Sequence, residues 1–173
     1  VTHNSAVATW GNVGPDYQIV WDTVGFDPEG AIAVSVMDTT YTMLGLSAET
    51  NYQAYVRQNC GLGTFSPWVM GSFTTLAAPP ANDLTCDASI VIVDGDTVIV
   101  DNTSATWSGD SATCWGNYNN GDVWLKFDFV QTGSITGVEI VTQAGSSNDS
   151  HIALYTVSGC PAGPLVMEQL GCS

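Results

Sequence analysis

Residues 46–68 read Leu46-Ser-Ala-Glu-Thr-Asn-Tyr52-Gln-Ala-Tyr-Val-Arg57-Gln-Asn-Cys60-Gly-Leu-Gly-Thr-Phe65-Ser-Pro-Trp68, and their pattern decides the fold. The middle alternates. Tyr52, Ala54 and Val56 fall on one face of a strand, and Gln53, Tyr55 and Arg57 on the other. Ahead of the strand, Leu46 and Tyr52 bracket a polar turn, Ser47 to Asn51. This arrangement predicts a tyrosine corner, in which a Tyr at the start of a strand returns its hydroxyl to the backbone upstream. After the strand, Gly61 and Gly63 turn the chain, and Ser66-Pro67-Trp68 leads into another strand.

The flanks repeat the pattern. Ser5 to Trp10 reads as a strand with Ala6, Ala8 and Trp10 on one face. Tyr17, Ile19 and Trp21 alternate with Gln18, Val20 and Asp22. Ala31–Val36, Thr39–Leu44 and Trp68–Thr75 supply further strands, rich in the β-branched and aromatic residues that strands favour. Short strands separated by turn signals, with no helical periodicity, predict an all-β chain built as a β-sandwich.

Residues 77–81 form a linker, stiffened toward an extended conformation by Pro79 and Pro80. It separates a first domain, 1–76, from a second, 82–173. In the second, Ser89–Val93 and Thr97–Val100 are β-branched runs joined at Asp94-Gly95, a hairpin turn signal. A long polar loop, Asp101 to Asn120, follows. Asp122 to Phe129 is a strong strand, with Val123, Leu125, Phe127 and Phe129 sharing a face. Ile135–Thr142, Ser150–Val157 and Pro164–Leu170 complete a second all-β unit, so the architecture expected is two tandem sandwiches.

Composition narrows the function classes. The chain has 173 residues, 45% of them hydrophobic, enough for packed cores. Only 2 Lys plus Arg stand against 17 Asp plus Glu, for a net charge of -15. Nucleic acid is excluded as a partner, because Lys and Arg are what displace phosphate counterions. An anionic membrane surface repels the chain for the same reason. Solubility in a salty medium is the ordinary reading of the acidity, and calcium binding the sharper one. No apolar stretch approaches the roughly 18 residues of a transmembrane helix. No basic n-region with an apolar h-region opens the chain, so a mature product or a piece of something longer is expected.

Five cysteines are present: Cys60, Cys86, Cys114, Cys160 and Cys172. None forms a CxxC pair, which argues against structural zinc and thioredoxin-like chemistry. Disulfides in an oxidising compartment are the natural reading. The odd number leaves at least one thiol free or paired elsewhere. Two bridges among five cysteines allow 15 pairings, so the residues themselves leave the connectivity open.

The first domain resembles a fibronectin type III domain as found in secreted cell-surface proteins of Bacteroidota. The matching features are Trp10, Tyr17 to Trp21, Tyr41 to Leu46 followed by Tyr52, and the exit Phe73-Thr74-Thr75. Against that family, Val1 to Asn4 is too short to supply a first strand. The resemblance thus implies a sheet edge that is open or is covered by other sequence. The second half is similar to secreted jelly-roll modules of the pre-peptidase C-terminal and CUB-like kind. Asn82-Asp83 before Cys86, Cys114 before Asp122 to Phe127, and Ala153-Leu154-Tyr155 before Cys160 and Cys172 carry that likeness. It implies pairing of consecutive cysteines, Cys86–Cys114 and Cys160–Cys172, with Cys60 left over. It also implies closing strands after Cys172, so both ends look cut.

Asp83, Asp122 and Asp149, with Asp94, Asp96 and Asp101, are candidate calcium ligands, although their spacing is not that of an EF-hand loop. The ordinary reading makes them solvated turn residues. Trp107, Trp115 and Tyr118 share the polar loop; they either cap the core or bind a sugar or protein partner. Thr23, Thr39, Thr97 and Ser111 follow Asp in short Asp-Ser/Thr-apolar segments that look like the Bacteroidota O-glycosylation acceptor. No residue pattern selects a glycosidase carboxylate pair or a nucleophile elbow. The expectation is a non-catalytic structural or adhesive segment of a large secreted protein, part of an extended fibre, with neighbouring modules or subunits as partners. The alternative is an accessory carbohydrate-binding region of a secreted hydrolase. No cofactor is required, and calcium is the one candidate.

Overall fold

Alternation in the first half becomes two facing sheets. The computed structural model describes residues 1–11, 14–92, 97–109, 112–114, 116, 121–127, 139–143, 151–160 and 164–172. The chain is all-β and divides into two compact units, Val1–Ala78 and Pro79–Ser173. The first contains β1 (Ser5–Thr9), β2 (Tyr17–Thr23), β3 (Val34–Val36), β4 (Thr40–Leu44), β5 (Asn51–Gly61), β6 (Thr64–Phe65) and β7 (Val69–Thr74). One sheet pairs β1 with β4, antiparallel, with Ser5 opposite Leu44 and Thr9 opposite Thr40. The other runs β3-β2-β5, and the far edge of β5 takes β7 and, near its end, β6.

Apolar side chains meet between the sheets. Ala6 and Met43 come from one, Tyr52 and Ala54 from the other, and Leu46 closes the end; Ala8, Trp21, Tyr41 and Phe73 pack against them. The face assignments read from alternation along β2 and β5 hold in this sandwich. The strand expected over Ala31–Val36 begins only at Val34. Pro28 opens a 3-10 turn, Pro28–Gly30, whose first amide, that of Glu29, donates to the Asp27 carboxylate at 3.0 Å.

The corner forms as its residues predict. Tyr52 is 8% exposed, and the Ser47 N–H donates to its hydroxyl at 2.9 Å. Its ring stacks on Phe73, centroids 5.6 Å apart. Thr75, which alternation does not mark, completes the turn: its buried hydroxyl donates to the Ser47 carbonyl at 2.6 Å and accepts from the Thr50 N–H at 2.9 Å. Those bonds hold Glu49 at a φ of 49°. A second positive φ stands at the β5–β6 turn, where Leu62 has φ 55° with its side chain fully exposed. Left-handed backbone there costs about 1–2 kcal/mol for a residue with a Cβ.

On β1 the hydrogen bonds alternate. Asn4 C=O and Trp10 N–H point toward β4, bonding Leu46 and Thr39. By the alternation of an antiparallel ladder, Val7 and Thr9 turn their amides and carbonyls the other way. Among the described residues no strand pairs with that edge.

The second unit contains β8 (Ser89–Ile90), β9 (Leu125–Lys126), β10 (Ala153–Ser158) and β11 (Val166–Cys172). β8 and β9 pair in parallel, β10 and β11 antiparallel. The strands expected near 150–157 and 164–170 are thus present with shifted ends. Thr97–Val100 is irregular, and among the described residues 122–127 of the strand expected from Asp122 only Leu125–Lys126 pairs. The Asp94-Gly95 turn and most of Ile135–Thr142 lie outside the described residues.

All four cysteines of this unit are bridged, but the consecutive pairing is corrected: Cys86 joins Cys160 and Cys114 joins Cys172, with Cα separations of 5.3 and 6.3 Å. The register of β10 and β11 supplies the reason. Ser158 lies opposite Val166 near Cys160, whereas Cys172 lies opposite Ala153 at the other end. At about 3.3 Å per residue, that puts Cys160 and Cys172 roughly 20 Å apart, far beyond the about 7 Å a bridge spans. Cys60 is free and exposed. No helix among the described residues is long and apolar enough to cross a membrane.

Tyr52→Phe removes only the hydroxyl and leaves the Ser47 amide unsatisfied, so urea unfolding should show a loss of about 1–3 kcal/mol. A change within the roughly 0.5 kcal/mol of an ordinary surface substitution would contradict the corner. Non-reducing peptide mapping should recover Cys86 linked to Cys160 and Cys114 to Cys172, with Cys60 alkylated before reduction. Recovery of consecutive pairs would contradict the register argument.

Candidate functional site

The polar loop from Asp101 has little regular structure, so its backbone groups need partners other than a ladder. Two aspartates provide them. The Thr106 N–H donates to Asp83 Oδ1 and the Thr106 hydroxyl to Asp83 Oδ2, both at 2.6 Å. One residue beyond Trp107 the device repeats: the Ser108 N–H donates to Asp122 Oδ1 at 2.9 Å and its hydroxyl to Asp122 Oδ2 at 2.6 Å. Each carboxylate thus grips a hydroxyl residue at two points. Charge-assisted bonds of this kind are stronger than neutral ones.

The grips are themselves supported. Asp83 is 7% exposed and sits beside Asn82, whose amide donates to the Trp124 carbonyl at 3.1 Å and whose carbonyl accepts the Trp124 N–H at 2.8 Å. Asp122 N–H donates to the Thr106 carbonyl at 3.3 Å. Gly121 lies so close to the loop that a Cβ there would overlap the Ala105 carbonyl. Farther along, Ala112 is buried, Gln169 holds Thr113 through both its amide atoms, at 2.8 and 2.9 Å, and Cys114 is bridged to β11.

Trp107 stands between the two gripped residues. In an extended segment, neighbours i-1 and i+1 point opposite to i. Thr106 and Ser108 are drawn toward Asp83 and Asp122, and Trp107 is 50% exposed. Of the three aromatics expected in this loop, Trp115 and Tyr118 lie outside the described residues.

Two of the candidate calcium ligands, Asp83 and Asp122, accept from the loop with both carboxylate oxygens. Asp101 binds the Thr103 N–H at 2.8 Å, and the Thr103 hydroxyl first, then this amide, hold its carboxyl below its ordinary pKa. Asp94, Asp96 and Asp149 lie outside the described residues. Among the described residues, no three His, Cys, Asp or Glu side chains gather where a metal ion could sit. Of the glycosylation candidates, Thr23 and Thr97 are exposed, Thr39 is half-buried, and Ser111 lies outside the described residues.

Sequence reasoning missed a second cluster, on the outer face of the first unit. Arg57, one of only 2 basic residues in the chain, lies 4.1 Å from the ring centroids of both Phe65 and Trp68. Its Nε donates to Gln18 Oε1 at 2.9 Å and Nη1 to Glu29 at 3.3 Å. Two aromatic rings and two oxygen acceptors satisfy this cation, so the cluster ties β5 to the segment after it. The spacing Arg57, Phe65, Trp68 was visible in the sequence, but their meeting depends on the β5–β6 turn.

No protein-family model matches this chain, and no curated protein does. Among solved structures it is similar to a protein from a computer-based redesign of a β-sandwich, at 24% identity and a TM-score of 0.38, over 44% of this chain and 85% of that one.

Asp83→Ala should lower the unfolding free energy by about 2–4 kcal/mol, since two bonds to a charged acceptor are lost. EDTA should leave the wild-type urea midpoint in place. A midpoint that falls with EDTA to that of Asp83→Ala would return the carboxylate to a metal.

Proposed function

We propose that this chain is a non-catalytic structural and adhesive segment of a large secreted or cell-surface protein. In this reading a fibronectin type III-like sandwich precedes a jelly-roll-like module, and the segment links neighbours in an extended fibre. The observation that carries the reading is the outer edge of β1, with which no strand among the described residues pairs. Val7 and Thr9 turn their amides and carbonyls away from β4, and an unpaired edge is a template for a further strand. Neighbouring sequence or an adjacent subunit supplies that strand. The tyrosine corner supports the assignment of the first sandwich, and the two disulfides support an oxidising, extracellular location. Exposed Thr23 and Thr97 serve as O-glycan acceptors in such a setting.

A second reading, an accessory carbohydrate-binding region of a secreted hydrolase, is favoured by the exposed Trp107. Hydrogen exchange tests the first. The amides of Val7 and Thr9 should exchange freely in the isolated 173-residue chain and be protected in protein purified from its native surface. Equally fast exchange in both would overturn the fibre reading.

A further inference from the structure

We propose that Trp107 is the stacking platform for a pyranose ring of a neutral glycan. The inference rests on the adhesive or carbohydrate-binding reading above and names the residue and ligand class that would carry it. Three observations support it, and none depends on a family likeness.

The first is presentation. An exposed Trp on a loose loop loses conformational freedom on binding, which costs affinity. The backbone that carries Trp107 has lost much of that freedom already. Asp83 and Asp122 fix the residues on either side of it through four hydrogen bonds of 2.6 to 2.9 Å. The loop is pinned again at Thr113 and Cys114. Such support around an exposed ring is the arrangement a binding group needs.

The second is the surroundings. Trp107 is preceded by Asn102, Thr103, Ser104, Ala105 and Thr106 and followed by Ser108; the Thr106 and Ser108 hydroxyls are engaged by Asp83 and Asp122, and Asn102, Thr103 and Ser104 are exposed residues of the same loop that bear hydroxyls or an amide. A flat apolar ring exposed on a loop rich in hydroxyls and amides complements a sugar. The axial C–H face of a pyranose lies on the indole, and its equatorial hydroxyls reach outward to polar neighbours.

The third is charge. At a net charge of -15 the chain repels uronic acid and sulfated polymers. The carboxylates of Asp83 and Asp122 are directed at Thr106 and Ser108. They are therefore engaged rather than offered to a cationic ligand. A neutral glycan is what remains.

Affinity electrophoresis of the whole chain tests this. The gels contain a neutral β-glucan, a neutral galactomannan, neutral xyloglucan or anionic alginate. Wild type, Trp107→Ala and Trp107→Tyr are run alongside Asp83→Asn, which loosens the loop and keeps the ring. At least one neutral polymer should retard the wild type, and alginate should not. Trp107→Ala should weaken that retardation roughly tenfold or more, with its urea midpoint unchanged. Trp107→Tyr should recover part of it, and Asp83→Asn should fall between. No retardation by any neutral polymer overturns the proposal, as does stronger retardation by alginate. Undiminished retardation of Trp107→Ala also overturns it, while leaving the adhesive reading intact. Exchange at β1 is independent of all these outcomes.

Discussion

The bond from the Ser47 amide to the Tyr52 hydroxyl, 2.9 Å long, fixes where β5 enters the first sandwich. β5 is the strand on which the larger sheet depends. It pairs with β2 along one edge and with β7 and β6 along the other, and it sends Tyr52 and Ala54 into the core. A shift of one residue at the corner would turn those side chains outward and bring Gln53 and Tyr55 in. Thr75 guards the same corner from the end of β7 by bonding the Ser47 carbonyl. The turn is therefore held from both sides by buried hydroxyls.

The second unit answers the same constraint with different groups. Among the described residues its loop from Asp101 forms no ladder, yet its backbone polar groups still need partners. Carboxylates and a glutamine amide supply them, and a disulfide closes the far end. This is an economical use of acidic residues in a chain with almost no cations. A carboxylate accepting from an amide and a hydroxyl needs no counter-charge to be satisfied. The result is a segment without regular structure that is nonetheless anchored, with an indole held in solvent.

Arg57 shows the reverse case. With so few basic residues available, one is kept on the outer face of the large sheet against two aromatic rings, where its charge strengthens local packing. Its ion pair with Glu29 adds little, since Glu29 is 67% exposed and screened by water. The stacking and the Gln18 bond are the parts that order the β5–β6 region.

What the sequence determined by itself was local. A period of two placed side chains on opposite faces of β1, β2 and β5, and Leu46 with Tyr52 marked the corner, because those signals lie within a few residues of one another. Pro28 moved the start of β3 by an equally local effect that the alternation masked. The tertiary structure alone decided the rest. Asp83 reaches Thr106 across 23 positions, and Cys86 reaches Cys160 across 74. A carboxylate's letter does not say which donors it will meet, and only the folded chain brings the Thr106 and Ser108 amides and hydroxyls to Asp83 and Asp122. A cysteine's partner is likewise set by which end of β10 and β11 it occupies, and that register exists only once the strands have paired.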